Sequence, residues 1–151
     1  MFVKKKTTMS KIFEELRKDH EYQRTLLDKL VDTEGETEDR KRHFYNLKHE
    51  LERHAKAEER YFYKPLISKD MTQDKARHGI HEHEQIDEVL EKMTKTDWSS
   101  PEWMNLAKEL KHKVEHHLDE EEKEMFKMAG KVLNENQKED LAESFSETRS
   151  L

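Results

Sequence analysis

The sequence predicts an all-α protein: an up-down-up-down four-helix bundle with a short C-terminal helix or tail. Three observations lead there. Breakers are scarce, with three Gly and two Pro in 151 residues, while Glu, Lys, Leu, Met and Arg, the strong helix formers, abound. Apolar residues recur at three-and-four spacing in four long runs, the period of a helix with one buried face. The connections between those runs are short, which favours antiparallel neighbours.

The first helix is expected from about Ser10 to Val31, with Ile12, Phe13, Leu16, Leu26, Leu27 and Leu30 on one stripe. DTEGETED then breaks the chain. The second runs from about Thr37 to Tyr63 along Phe44, Leu47, Leu51, Ala55 and Phe62, and is expected to end near Pro65. The third begins near Thr72 and carries Ile80, Ile86, Val89, Leu90 and Met93 to Lys95. Ser100-Pro101-Glu102 starts the fourth, a capping serine followed by proline in the first turn. It carries Trp103, Leu106, Leu110, Val114, Leu118 and Met125, and Gly130 after Ala129 is its expected stop. The rest, with Leu141 and Phe145 as its apolar anchors, reads as a short fifth helix or a tail. The organisation is therefore an N-terminal tail (1–9), one bundle (10–130) and a C-terminal helix or tail (131–151).

Composition narrows the function. Charged residues make up 42% and apolar ones 32%, below the usual apolar share of about 45–50%. A formal net charge of −6 argues against a nucleic-acid partner, which needs a basic field, and Lys4, Lys5 and Lys6 read as a solvated tail. The absence of cysteine excludes disulfides, thiolate metal sites and thiol catalysis. The opening MFVKKKTTMS has charge but no apolar stretch behind it, and no segment is apolar enough to span a bilayer. A cytoplasmic soluble protein with no membrane partner is the expectation.

The chain repeats itself. His20 and His83, His54 and His117, and Glu58 and Glu121 are each separated by 63 residues. The same shift carries Leu27 to Leu90, Leu47 to Leu110 and Leu51 to Val114, and it aligns KDHEYQ with HEHEQI and LERHAKAEE with VEHHLDEEE. One helical hairpin is present twice, so an approximate two-fold axis is expected. All six repeated polar residues fall on the apolar stripes. At a rise of about 1.5 Å per residue, His20 and His83 lie roughly 15–16 Å from the starts of their helices. By the same measure, His54 and Glu58 lie roughly 8–14 Å, and His117 and Glu121 roughly 12–18 Å, from the ends of theirs. In an alternating bundle those starts and ends share one end of the molecule, so the six side chains meet in about one layer.

Four imidazoles and two carboxylates cannot be buried together without compensation, because an unpaired buried carboxylate costs several kcal/mol or is forced neutral. A pair of divalent cations removes the conflict. Neutral imidazole nitrogens and carboxylate oxygens are metal donors, and each glutamate can bridge two ions. An i,i+4 His–Glu pair suits this because residues four apart stack on one helix face. The metal set is then His20, His54, Glu58, His83, His117 and Glu121, with two histidines on each ion and both glutamates bridging. Positions remain for a bridging oxo or hydroxo group and for an exogenous ligand. The nitrogen-and-oxygen set favours two iron ions, with manganese, or zinc by substitution, as the alternatives.

The order His, His-x-x-x-Glu, His, His-x-x-x-Glu on four helices resembles the hemerythrin-like HHE cation-binding family over about Leu16 to Phe126. The resemblance implies a non-haem di-iron four-helix bundle that binds or senses oxygen, nitric oxide, peroxide or iron itself. It departs from the oxygen carriers, whose third helix has His-x-x-x-His: here the position four before His83 is Gly79. The fifth histidine is therefore expected to be missing, which speaks against simple reversible oxygen carriage. In the second copy Glu121 is preferred to Glu122 by symmetry.

The other polar residues carry weaker signals. His43, His49, His112 and His116 sit off the core stripe and are expected at the surface, as are His78 and His81. Gln23 faces inward and either hydrogen-bonds near the site or simply packs. Tyr22, Tyr45, Tyr61 and Tyr63 have no spacing that demands a role.

The leading expectation is a metal- and ligand-binding protein for a small diatomic or peroxide. The alternatives are a di-iron enzyme consuming peroxide or nitric oxide, and a non-catalytic bundle for iron homeostasis. A ferritin-like oxidase is disfavoured, because Glu-x-x-His occurs only at Glu109 and His112, without a mate.

Overall fold

The computed structural model describes residues 11–150, and the expected tail at 1–9, with its three lysines, lies outside the described residues. Helices α1 (Lys11–Val31), α2 (Glu38–Glu58), α4 (Gln73–Thr94) and α5 (Pro101–Glu120) are the long ones. Short helices α3 (Lys64–Ile67) and α6 (Phe126–Val132) extend α2 and α5 through π-helical turns at Glu59–Tyr63 and Glu121–Met125. α7 (Glu135–Glu147) follows, and no strand occurs among the described residues.

Local chemistry explains the boundaries. Gly35, at φ +58°, turns the chain between α1 and α2 in the left-handed conformation glycine adopts without strain. The Thr37 side chain accepts from the Arg40 N–H to start α2, and Ser100 accepts from the Trp103 N–H ahead of Pro101 to start α5. Asn134 and Gln137 form a reciprocal capping box at 2.8 Å in each direction, which starts α7.

The second run ends near Pro65, at Ile67: the π-helical turn already replaces the regular bonding before it, the Lys64 N–H reaching Glu59 O, and Pro65 sits in the first turn of α3, where no N–H is needed. One expected helix end is corrected: the fourth does not stop at Gly130, which lies inside α6. The break comes at Leu133, which is extended (φ −98°, ψ 136°), because Asn134 caps the next helix there.

The long helices pack as a ring of neighbours, α1 on α2 and α5, α4 on α2 and α5, and α7 lies along α1. Their apolar side chains form two clusters. One gathers Leu26, Leu27, Leu30, Phe44, Leu47, Ile86, Trp103 and Leu110. The other gathers Ile12, Phe13, Leu16, Phe62, Tyr63, Met125, Phe126 and, from α7, Phe145. Along every long helix the residues between the clusters are polar and buried: His20 and Gln23, His54 and Glu58, His83, His117 and Glu121. A polar layer therefore divides the core.

Candidate metal centre

The structure brings all six sequence-predicted residues into that layer. His20, His54, Glu58 and Glu121 offer donor atoms within 4.8 Å of one another, and Glu58, His83 and His117 do the same. Glu58 belongs to both groups and is fully buried. The contacts across the layer are reciprocal under the repeat. His20 Nε2 lies 3.1 Å from Glu121 Oε1, and His83 Nε2 lies 3.0 Å from Glu58 Oε1. Within each helix, His54 Nε2 is 3.5 Å from Glu58 Oε2 and His117 Nε2 is 3.7 Å from Glu121 Oε2.

These are close approaches without hydrogen-bond alignment. The Nε2 atoms of all four histidines, both oxygens of Glu58 and Oε1 of Glu121 are buried with no hydrogen-bond partner. Native proteins almost never leave that many polar atoms unsatisfied in one place. Atoms that crowd to 3.0–3.8 Å without pairing are arranged as donors to shared points between them. The donor set therefore fits a pair of cations.

The outer nitrogen of each ring is held. His54 Nδ1 meets Asp19 Oδ2 at 2.7 Å, His117 Nδ1 meets Glu82 Oε1 at 2.7 Å, His83 Nδ1 meets Glu59 Oε2 at 2.7 Å, and His20 Nδ1 meets Glu122 Oε2 at 2.6 Å. A carboxylate at Nδ1 fixes the ring's orientation and leaves Nε2 as the donor toward a metal. Sequence reasoning missed all four acids. Its own alignment carried the signal, since the 63-residue shift takes Asp19 to Glu82 and Glu59 to Glu122.

Tyr63 was also missed. It is fully buried, its hydroxyl donates to Glu121 Oε2 in a short bond, and its ring stacks on His83 with centroids 5.5 Å apart. The repeat places Phe126 at the matching position, stacked on His20 at 6.0 Å. Gly79 makes Tyr63 possible: a Cβ there would meet the Tyr63 hydroxyl at 2.5 Å. The place where the oxygen carriers' fifth histidine was expected to be missing is thus filled by a phenol. The two halves of the layer differ accordingly.

Of the remaining candidates, Gln23 is buried and donates to Glu50 Oε2 at 3.0 Å rather than to a layer residue. His49, His78, His81, His112 and His116 are exposed and His43 is half-buried. Tyr22 and Tyr45 are exposed.

The electrostatics follow from burial opposed by neighbours. Burial alone would push the His54 imidazole down, but Glu58 and Asp19 outweigh it and raise it to about 10; Glu58 and Glu82 raise His117 to about 10 in the same way. His20 and His83 are raised too, against burial, by Glu121 with Glu122 and by Glu58 with Glu59. Burial would raise Glu58, yet His54 and its other bonded neighbours hold it well below the usual carboxylate range. Burial and the charge of Glu58 push Glu121 up. The raised imidazoles hold protons more tightly, so a cation binding there must compete with them. Outside, burial of Glu122 is outweighed by His20 and Arg24, which bring it down to about 2.

A cavity of about 20 Å³ touches the layer from the side of the first apolar cluster, bounded by Gln23, Leu51, His54, His83, Ile86 and His117. That is room for one small molecule. No helix of the described residues is long and apolar enough to cross a membrane.

Comparison with curated proteins and with solved structures returns no match. The family model described as the hemerythrin HHE cation binding domain matches residues 11–129, a span that holds the whole polar layer and both copies of the repeat. The geometry and that match agree, and the chain belongs to the hemerythrin HHE cation-binding domain family.

Proposed function

We propose that this chain is a non-haem di-iron protein that takes up a small ligand such as dioxygen, nitric oxide or peroxide, for sensing, storage or protection. The observation that carries the reading is the convergence of seven unpartnered donor atoms from six buried residues on one layer. His20 and His54 would hold one ion, His83 and His117 the other, with Glu58 and Glu121 between them. Iron, when bound, would supply redox chemistry and an open position toward the ligand. The residues of the chain do the rest. Asp19, Glu59, Glu82 and Glu122 keep the imidazole rings aimed inward, Tyr63 holds one oxygen of Glu121, and Leu51, Ile86 and Val114 line an apolar approach on the cavity side.

The alternating order of the four long helices supports the same reading. α1 and α4 enter through the cluster of Ile12 and Ala76 and leave through that of Leu30 and Met93, whereas α2 starts from Phe44 and ends at Ala57, and α5 starts from Trp103 and runs on through its π-helical turn to Met125. On this reading the four helices alternate as an up-down-up-down bundle, in which like ends of the repeat would face each other.

The test is anaerobic reconstitution of the full chain with ferrous iron, followed by metal analysis and exposure to oxygen. About two irons per chain and new near-ultraviolet absorption are the expected result. Protein that holds no stoichiometric iron under these conditions refutes the reading, and elemental analysis of protein from iron-replete cells decides between iron, manganese and zinc. Steady consumption of peroxide or nitric oxide would make the protein an enzyme; stoichiometric binding without turnover makes it a sensor or store.

A further inference from the structure

A second cluster of ligand-type side chains lies outside the layer and uses the same spacing: His78 and Glu82 on α4, His116 and Glu120 on α5. His78 Nε2 is 3.3 Å from Glu82 Oε2 and 3.4 Å from Glu120 Oε1, and His116 Nε2 is 3.1 Å from Glu120 Oε2 and 4.0 Å from Glu82 Oε2. Donors bound at about 2.0–2.2 Å to one tetrahedral cation stand about 3.4 Å apart; the donor atoms of His78, Glu82 and Glu120 lie within 4.8 Å of one another and suit a common ion, and His116 flanks them against Glu120. Both imidazoles are exposed, so the cluster is open to an ion from solvent.

The repeat explains why this spot differs from its twin. Shifting back 63 residues takes His78, Glu82, His116 and Glu120 to Glu15, Asp19, Arg53 and Ala57. In that first copy, cations of the protein itself neutralise the acids. Arg149 donates to Asp19 Oδ1 at 2.8 Å and also to Glu15, and Arg53 donates to Asp19 Oδ2 at 2.6 Å. In the second copy the guanidinium of Arg53 is exchanged for an imidazole and Ala57 for a carboxylate. Arg149 belongs to the segment that lies on α1. Lys75, on the rim, has its ammonium bonded to Glu124 at 2.8 Å. Two carboxylates and two imidazoles remain, a set whose charge one divalent cation cancels.

The cluster also leads inward. A narrow cavity of about 10 Å³ has His78, Glu82 and Glu120 at its outer side and Tyr63, His117 and Glu121 at its inner side. His117 and Glu121 line it, and each has a buried polar atom without a partner, Nε2 and Oε1 respectively. Glu82 touches both ends, with Oε1 on His117 Nδ1 at 2.7 Å and Oε2 facing His78.

We propose that His78, Glu82 and Glu120, with His116 beside them, form a third site, for a divalent transition-metal cation, that stages ions on their way to the buried layer. The staging role rests on the metal-centre reading above; the outer site itself does not. The ligand chemistry is one imidazole and two carboxylates with a second imidazole at the edge, which suits ferrous iron, manganese or zinc alike.

The test uses zinc as the probe on the full chain, by calorimetric titration and stopped-flow uptake. Wild type is expected to take two ions and a weaker third. His78→Ala/His116→Ala should lose the third, its affinity falling at least ~10-fold, the lower edge of what losing even an outer partner costs a site, and should fill the buried layer severalfold more slowly. His78→Gln/His116→Gln, which preserves side-chain volume, should behave the same way, with unchanged helical circular dichroism. Glu58→Ala should lose the buried ions and keep the outer one, so failure of the buried centre and failure of the outer site are distinguishable. No third ion in wild type, a third ion that persists in both double variants, or uptake at the wild-type rate overturns the proposal.

Discussion

Glu58 has no exposed surface, and its two oxygens face His83 at 3.0 Å and His54 at 3.5 Å. Glu58→Ala is therefore expected to lower occupancy at both cation positions, whereas His20→Ala should weaken chiefly one. Metal analysis of the purified variants checks this, and full occupancy in Glu58→Ala would remove the bridging role. Asp19→Asn keeps the shape at His54 Nδ1 but removes the charge, and should weaken metal binding by ~10–100-fold, measured by competition with a chelator. The six layer residues were legible because each falls on an apolar stripe and repeats at one shift. Asp19, Glu59, Glu82 and Glu122 were not, because an acid beside a stripe in a chain that is 42% charged looks like any solvated face. Tyr63 hid for another reason: its role depends on Gly79, a residue on a different helix, leaving room.

At the scale of elements, the two helices that carry the His-x-x-x-Glu pairs of the layer loosen into a π-helical turn directly after or at the glutamate, Glu59–Tyr63 and Glu121–Met125. Such turns gather at functional sites because they re-aim the side chains that follow. Here they deliver Tyr63 and Met125 to the core beside the layer. Gly79→Ala, by placing a Cβ 2.5 Å from the Tyr63 hydroxyl, should destabilise the fold by ~1–3 kcal/mol in denaturant melts and displace Tyr63 from Glu121. α7 closes the other half, with Phe145 fully buried and its ring edge-on to His54 at 5.6 Å. Phe145→Ala should cost ~3–5 kcal/mol in the same assay. The helix start at Ser100 was legible because its side-chain cap and the following proline act locally. The end at Gly130 was misjudged because a breaker's weight depends on what surrounds it, here the downstream Asn134 cap.

At the scale of the molecule, a chain with 32% apolar residues places a polar layer through its core, so bound metal should contribute visibly to stability. An ion held at 100 times its dissociation constant stabilises the fold by about 2.7 kcal/mol, and chelation should lower the melting midpoint. The pH dependence has a definite sign. In the metal-free protein His54 and His117 are raised from 6.5 to about 10. Their contribution to stability is thus complete below pH 6.5 and is lost as pH rises through about 10. Metal binding runs the opposite way, gaining up to about tenfold in affinity per pH unit for each proton displaced. The gap between loaded and chelated melting midpoints should therefore widen from pH 6.5 toward pH 10, measured by melts across that range.

The two hairpins share their acids crosswise. The first group of donors takes Glu121 from the second hairpin, and the second group takes Glu58 from the first. Each group draws donors from both repeats, so a centre loaded as proposed would act as a suture between them. The seam it tightens is the one joining α1 and α2 to α4 and α5, rather than the turn within either hairpin. Slower amide exchange on loading should accordingly be concentrated along that seam.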